Sequence, residues 1–364
     1  MKKVRIGVIG CGAIAQVHHL PNLKALQDEF EVPIVCDVSQ GAAAYVAETF
    51  SIPRYVTDYR DLLASDVDAV LLCHSDPKTR VAVAAFNAGK HVFIEKPMCF
   101  SIQEADAIGA ACQASGKVGQ AGYMKVHDPA FELAKREVDT MDDVRFVQAN
   151  HLHCGNELHL QNFRIKRFDD IPPDAMVEAG EDGAKARHDA IGDISGDAGS
   201  AFSTLSGSGI HDLYGFRALL GVPEAVASTE LWNGGRGITT ILEYPNEVRL
   251  VYTWAAIPGL WDFKETLEVY GDTKRVIVKY PTGFSRGILS TVTVHEIEAD
   301  GTTVLKEPAI VWESAFSREI RHFHACITEG IPCRTSVVDA RNDIALIINI
   351  VKSYTEHARI PSDW

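Results

Sequence analysis

Apolar residues follow two different rhythms along this chain. Up to residue 123, short apolar runs alternate with amphipathic stretches. The runs at 4–9 (VRIGVI), 32–36 (VPIVC), 68–73 (DAVLLC), 91–94 (HVFI) and 117–122 predict buried strands, with a short one at Tyr55-Val56. Ile14, Val17, Leu20, Leu23 and Leu26 recur near the helical period, and further helices are predicted at about 40–50, 58–64, 77–88 and 101–115. Gly89 closes one of them as a C′ cap. Strands alternating with helices in this way predict βαβ units around a parallel sheet.

The rhythm changes near residue 123. Longer alternating strands are predicted at 144–153, 225–232, 238–245, 248–255, 266–270, 275–279 and 291–297. Asn233-Gly234-Gly235 and Tyr270-Gly271-Asp272 punctuate them as turns. Helices are expected at 129–137, 210–220, 315–329 and 338–357. The fold class is therefore α/β in residues 1–123 and α+β, with a large and mostly antiparallel sheet, in residues 124–364. Residues 154–200 stand apart as a polar insert rich in Asp, Gly, His and Lys, with a possible helix at 174–191. Inserts of this length are commonly lids or binding loops. A surface excursion that packs on another subunit is the alternative reading.

The first strand runs straight into Gly10-x-Gly12-x-x-Ala15, followed by a helix. This is the context in which a glycine-rich turn binds a dinucleotide. Gly10 permits the tight turn, Gly12 lets backbone approach a pyrophosphate, and Ala15 allows close packing of helix on strand. Ala13 and Ile14 open the helix whose free N–H groups favour an anion. Asp37 ends the second strand, 22 residues after Ala15, where a carboxylate accepts from ribose hydroxyls and repels a 2′-phosphate. NAD is therefore expected in preference to NADP.

Composition narrows the choice of partners. With 35 Lys+Arg against 49 Asp+Glu, the net charge of −14 provides no broad cationic field for nucleic acid or anionic lipid. No segment approaches the apolar length of a membrane span. The eight cysteines form no CxxC and are irregularly spaced, so a protein of the reducing cytoplasm is expected, with thiols mostly buried. No metal site is expected. His151, His153 and Cys154 lack a matching ligand pair elsewhere, and His322 and His324 sit on an amphipathic helix as core residues.

Glu95-Lys96-Pro97, at the end of the 91–94 strand, carries a resemblance. With IGVIGCGAIAQVHHLPNL near the start, GKHVFIEKPM at 89–98, GSGIHDLYGFRALLG at 207–221 and FSREIRHFHACITEGIPC at 316–333, the sequence resembles the Gfo/Idh/MocA oxidoreductases. The resemblance spans nearly the whole chain and fades over 154–200. It implies a Rossmann domain followed by an open-sheet domain, assembled into a dimer or larger homo-oligomer. It also implies NAD(P)-dependent oxidation or reduction of a secondary alcohol on a sugar, glycoside or cyclitol, including oxidation of a glycoside at C3. Lys96 matches the family lysine that touches substrate and nicotinamide, and His211 the active-site histidine. Where many relatives carry Asp four residues before that histidine and three after it, this chain has Gly207 and Tyr214. The base therefore lacks its usual carboxylate partner, or takes one from elsewhere.

The implied chemistry sends a hydride to the nicotinamide and the hydroxyl proton to a base. His211 is read as the base and Lys96 as the group that polarises and positions the oxygen, with the reverse assignment left open. Glu95 and Ser75 complete the expected cofactor contacts; Ser75-Asp76-Pro77 occupies the loop where the family has Thr-Pro near the nicotinamide ribose. Tyr123, Lys125 and His127, which follow the last parallel strand, and His153 are expected to contact substrate. Two other readings of the same residues are a non-catalytic NAD(P) sensor and a biosynthetic ketone or imine reductase.

Overall fold

The structure is a computed structural model describing residues 3–75, 77–261, 263–285 and 287–362. The chain divides into two compact units. One comprises Met1–Tyr123, Phe163–Gly192 and Phe316–Ile344; the other comprises Met124–Asn162, Asp193–Ala315 and Ala345–Trp364.

The first unit is built on a seven-stranded sheet. Its strands run Arg54–Val56, Ile34–Cys36, Val4–Ile9, Ala69–Leu72, His91–Glu95, Gly119–Gly122, with Phe30–Glu31 paired to the start of Val4–Ile9. Every pairing is parallel. The first strand in sequence is central, Val8 facing Val35 on one side and Leu71 on the other. Chain order reverses beside it, and in such sheets the ligand crevice opens at the carboxyl ends of the strands at this point. The inner strands Val4–Ile9, Ala69–Leu72 and His91–Glu95 are buried at nearly every position rather than at alternate ones, as in a parallel sheet covered on both faces. Ile6, Val8, Val35, Leu71 and Phe93 form the core with Leu20 and Leu23, and Phe323 of the helix Ala315–Thr328 joins them.

The helix after the glycine turn differs from the regular one expected. It passes through a π turn at Ala15–His19, where the Leu20 N–H reaches back to the Ala15 carbonyl, before α-helix resumes over Leu20–Ala25. Pro21 has no N–H to give, so the ordinary ladder is interrupted there.

The insert is not one body. Phe163–Gly192 packs within the first unit, and Phe168 lies against its core. The helix expected at 174–191 is present as Pro173–Ile191.

The second unit carries a nine-stranded sheet in the order Thr303–Lys306, Thr291–Ile297, Lys274–Tyr280, Lys264–Tyr270, Phe146–His153, Arg249–Ala256, Gly237–Glu243, Ala225–Trp232, Ile360–Pro361. All pairings are antiparallel except Phe146–His153 with Arg249–Ala256. That register sets Trp254 beside His151, and the antiparallel neighbour sets Glu265 on its other side. Side chains opposite one another share a face, so three polar or aromatic groups converge there. The short edge strands Thr303–Lys306 and Ile360–Pro361 and the helix Gly196–Thr204 carry too weak a periodic signal to be read from sequence. Among the described residues no helix is long and apolar enough to cross a membrane.

Candidate active site

In the first unit the glycine turn opens into a cavity of about 1460 Å³, larger than the roughly 300–1,000 Å³ of most small-ligand pockets. Gly10 has φ +98°, and a Cβ there would fall 2.2 Å from the His74 backbone nitrogen, so only glycine fits. The Asp37 carboxylate is fixed by two backbone donors, Cys11 N–H at 2.7 Å and Ser39 N–H at 2.9 Å. Gly10, Gly12, Ala13, Asp37 and Ser75 all line the cavity. Ile14, Glu95 and Lys96 are not among its lining residues; Ile14 packs against the core instead. Asp76 lies outside the described residues. The opposite wall is one the sequence did not point to: it is formed by residues between Ile165 and Asp182 of the insert.

At the end of the strand His91–Glu95, the buried Glu95 carboxylate bonds His19 Nε2 at 2.5 Å and accepts the Lys96 backbone N–H at 3.0 Å. The Lys96–Pro97 peptide is cis and Lys96 is half-buried. Burial pushes the Glu95 carboxyl up, but the His19 bond and the charges of His19, Lys96 and Lys78 outweigh it and hold Glu95 below its ordinary value. A second carboxyl, Glu319, completes a buried cluster with His19 and Glu95. It is fully buried, and neither of its oxygens has a hydrogen-bond partner among the described residues. Burial and then the Glu95 charge drive its pKa well above 4.5. Two neighbouring carboxyls thus divide the roles, Glu95 ionised and Glu319 protonated.

Linkage to this proton makes stability depend on pH. The folded chain holds a proton on Glu319 that the unfolded chain releases above pH 4.5. Stability from this group is complete below that pH and falls as pH rises toward the folded value. Denaturation midpoints of wild type and Glu319→Gln are therefore expected to converge in acid and to separate in the variant's favour by roughly pH 8. Equal midpoints throughout would show that Glu319 ionises at no cost.

The second unit carries a polar network between one sheet face and the helix Ile210–Leu220. Asp212 is buried, and its Oδ2 accepts from His151 Nδ1 at 2.7 Å and from the Tyr252 hydroxyl at 2.7 Å. Lys125 Nζ lies 3.7 Å from Asp212 Oδ1 and forms a buried ion pair with Glu265. Burial raises the Asp212 carboxyl, but the charges of His151 and Lys125, and the bonds from His151 and Tyr252, bring it below its usual value. His151 Nε2 contacts His153 Nδ1 at 3.2 Å, and the His153 ring stacks on Trp254 at 5.5 Å. Burial and the neighbouring His151 lower His153 to about 4, so it is neutral at physiological pH.

His211, on the same helix, bonds Tyr214 Oη through Nδ1 at 2.9 Å, and the Lys125 backbone N–H donates to that hydroxyl at 3.2 Å. Tyr214, three residues on, thus orients the His211 imidazole. Asp212, next to His211 in sequence, points instead to His151 and accepts from its Nδ1 at 2.7 Å. Lys125 is committed to buried carboxylates, and Tyr123 and His127 are each 2% exposed. Cys154 Sγ lies 3.4 Å from His159 Nε2. The thiols of Cys326 and Cys333 converge with His322, which irregular spacing hid. His322 Nε2 is already occupied by the Arg334 N–H at 2.9 Å.

The fold defines a class, a unit with a Rossmann-type parallel sheet and a cavity at its glycine turn, and a unit with a large, mostly antiparallel sheet. Comparison with known proteins narrows it. Residues 4–123 match the sequence profile of the oxidoreductase family with an NAD-binding Rossmann fold, Gfo/Idh/MocA. An inositol 2-dehydrogenase/D-chiro-inositol 3-dehydrogenase from Shouchella clausii is 37% identical over 140 residues, 37% of this chain and 40% of the relative. The matched stretch is thus less than half the relative's length. Over the whole chain the likeness is one of fold. Levoglucosan dehydrogenase in complex with NADH has a TM-score of 0.76 at 17% identity, covering 99% of each chain. A UDP-N-acetylglucosamine 3-dehydrogenase from Acidithiobacillus ferrooxidans has 0.72 at 19% identity, covering 98% of this chain and 99% of that one.

Proposed function

We propose that this protein is an NAD-dependent dehydrogenase that moves a hydride between the nicotinamide and a secondary alcohol of a sugar, cyclitol or glycoside. The observation that carries the reading is the large cavity that joins the Gly10–Gly12 turn to the Asp37 carboxylate. Free N–H groups at the turn suit a pyrophosphate, and Asp37 suits the two ribose hydroxyls. When bound, the nicotinamide supplies the hydride acceptor or donor. His211, held by Tyr214, takes the hydroxyl proton in the oxidising direction and returns it in the reducing one. Lys96, fixed at a strand end beside the ionised Glu95, donates to the substrate oxygen and stabilises it as charge develops. His153, neutral and stacked on Trp254, offers both a hydrogen bond and an aromatic surface to a polyol.

The protein is further proposed to act in the cytoplasm as a homo-oligomer. Strands such as Phe146–His153 and Arg249–Ala256 bury one side and leave the other half-exposed, and such sheet faces are commonly covered by a partner. The test of the activity is absorbance of reduced nicotinamide when NAD meets a panel of sugars, inositols and aryl glycosides. A rise with one class supports the reading. A flat trace, with no dinucleotide released on denaturing the protein, contradicts it.

A further inference from the structure

The insert brings a carboxylate to the position that decides between the two nicotinamide dinucleotides. Asp37 ends its strand, and the chain passes through Ser39 into the helix Gln40–Phe50. Free N–H groups at a helix start, together with a hydroxyl, are what an added 2′-phosphate would use beside the adenosine ribose. Those donors are taken. Asp170 Oδ2 accepts the Gly41 N–H at 2.7 Å, and Oδ1 accepts the Ser39 hydroxyl. Asp170 and Ser39 both line the dinucleotide cavity. Arg60, a cation of the same lining, donates to both oxygens of Asp58.

The contact is built rather than incidental. Gly41 lets the insert come close: a Cβ there would fall 2.6 Å from the Phe168 ring. Phe168 in turn packs on Tyr45 of that helix, with ring centroids 5.8 Å apart. Gln16 bonds the Lys166 backbone through both its amide oxygen and its amide nitrogen, each at 3.0 Å. Arg80 pairs with Glu178 and Asp182 further along the insert.

We infer that Asp170 is a specificity-determining residue, an internal stand-in for the 2′-phosphate that excludes NADP and admits NAD. The inference rests on the proposed dinucleotide site and adds a second acid to Asp37. A phosphate at this position would have to displace a carboxylate from its two donors while facing the charge of Asp37. Like charges set against each other in a binding site cost enough to decide selectivity.

The test is equilibrium binding of NAD and NADP to wild type, Asp170→Ala, Arg80→Ala, Asp37→Ser and the Asp37→Ser/Asp170→Ala double variant. The ratio of NADP to NAD affinity is expected to rise about tenfold or more on Asp170→Ala, and again when Asp170→Ala is added to Asp37→Ser. Arg80→Ala, which loosens the insert away from Ser39, is expected to leave the ratio alone. An unchanged ratio in both Asp170→Ala comparisons overturns the inference, as does an equal rise with Arg80→Ala. Both results would leave NAD binding, and the proposed function, intact. Failure of wild type to bind either dinucleotide removes the reading of the cavity and this inference with it.

Discussion

Replacing Lys96 with Met is expected to slow single-turnover hydride transfer by about 10²–10⁴-fold, the usual contribution of a positioned proton donor or base. The loss should fall on the chemical step, because Lys96 is not among the residues lining the dinucleotide cavity. Its backbone N–H is tied to Glu95, and Glu95 to His19, so the side chain springs from a fixed point. Methionine keeps the length and apolar body of the stem and removes only the ammonium. The pH profile separates the two roles. If His211 is the base, oxidation in wild type climbs with pH to a plateau as the imidazole loses its proton, and His211→Ala loses that limb. If the limb survives in His211→Ala and disappears in Lys96→Met, the roles are reversed. Wild-type rates in both variants would remove both residues from the chemistry.

Asp212→Ala is expected to destabilise the second unit by about 3–5 kcal/mol, the cost of removing one member of a buried charge network. Asp212 accepts from His151 and Tyr252 and faces Lys125, and the three are buried with it. Its removal takes one buried carboxylate from beside Lys125 and leaves the His151 Nδ1–H without its acceptor. Denaturant unfolding read by tryptophan fluorescence, which includes Trp254 stacked on His153, reports the loss. Lys125→Met combined with Asp212→Ala should recover part of it, since the paired charges then leave together. A cost below about 1 kcal/mol in the single variant, with no coupling to Lys125, would mean that solvent already reaches the network.

Much of the first unit was legible because its signals are local. A buried parallel strand must be apolar at every position, and a glycine turn followed by an acid at the next strand end has one common use. The resemblance then supplied Lys96 and His211. Less visible was everything that depends on long-range contact. Asp212 and His151 are 61 residues apart in sequence, and Ser39 and Asp170 are 131 apart, yet each pair shares a hydrogen bond. No periodicity encodes such meetings. Tyr214 reads in the sequence as a departure from the family pattern, and only the geometry shows its hydroxyl bonded to His211 Nδ1. The π turn at Ala15–His19 was within reach, since Pro21 announces a break in the ladder. Composition sets the insert apart, whereas the contacts that tie its middle into the first unit, through Phe168 and Gln16, carry no signature of their own.

In the proposed reaction a carbon-bound hydrogen of a secondary alcohol passes to the nicotinamide. The most direct measurement supplies a substrate, chosen from the active class of the panel, with deuterium on the carbon that bears the reacting hydroxyl. The mass spectrum of the dinucleotide is read after one turnover by wild type and by Lys96→Met. Reduced NAD carrying one deuterium from wild type, with little reduced NAD from the variant, is the predicted result. Reduced NAD without the label, or equal yields from both proteins, would contradict it.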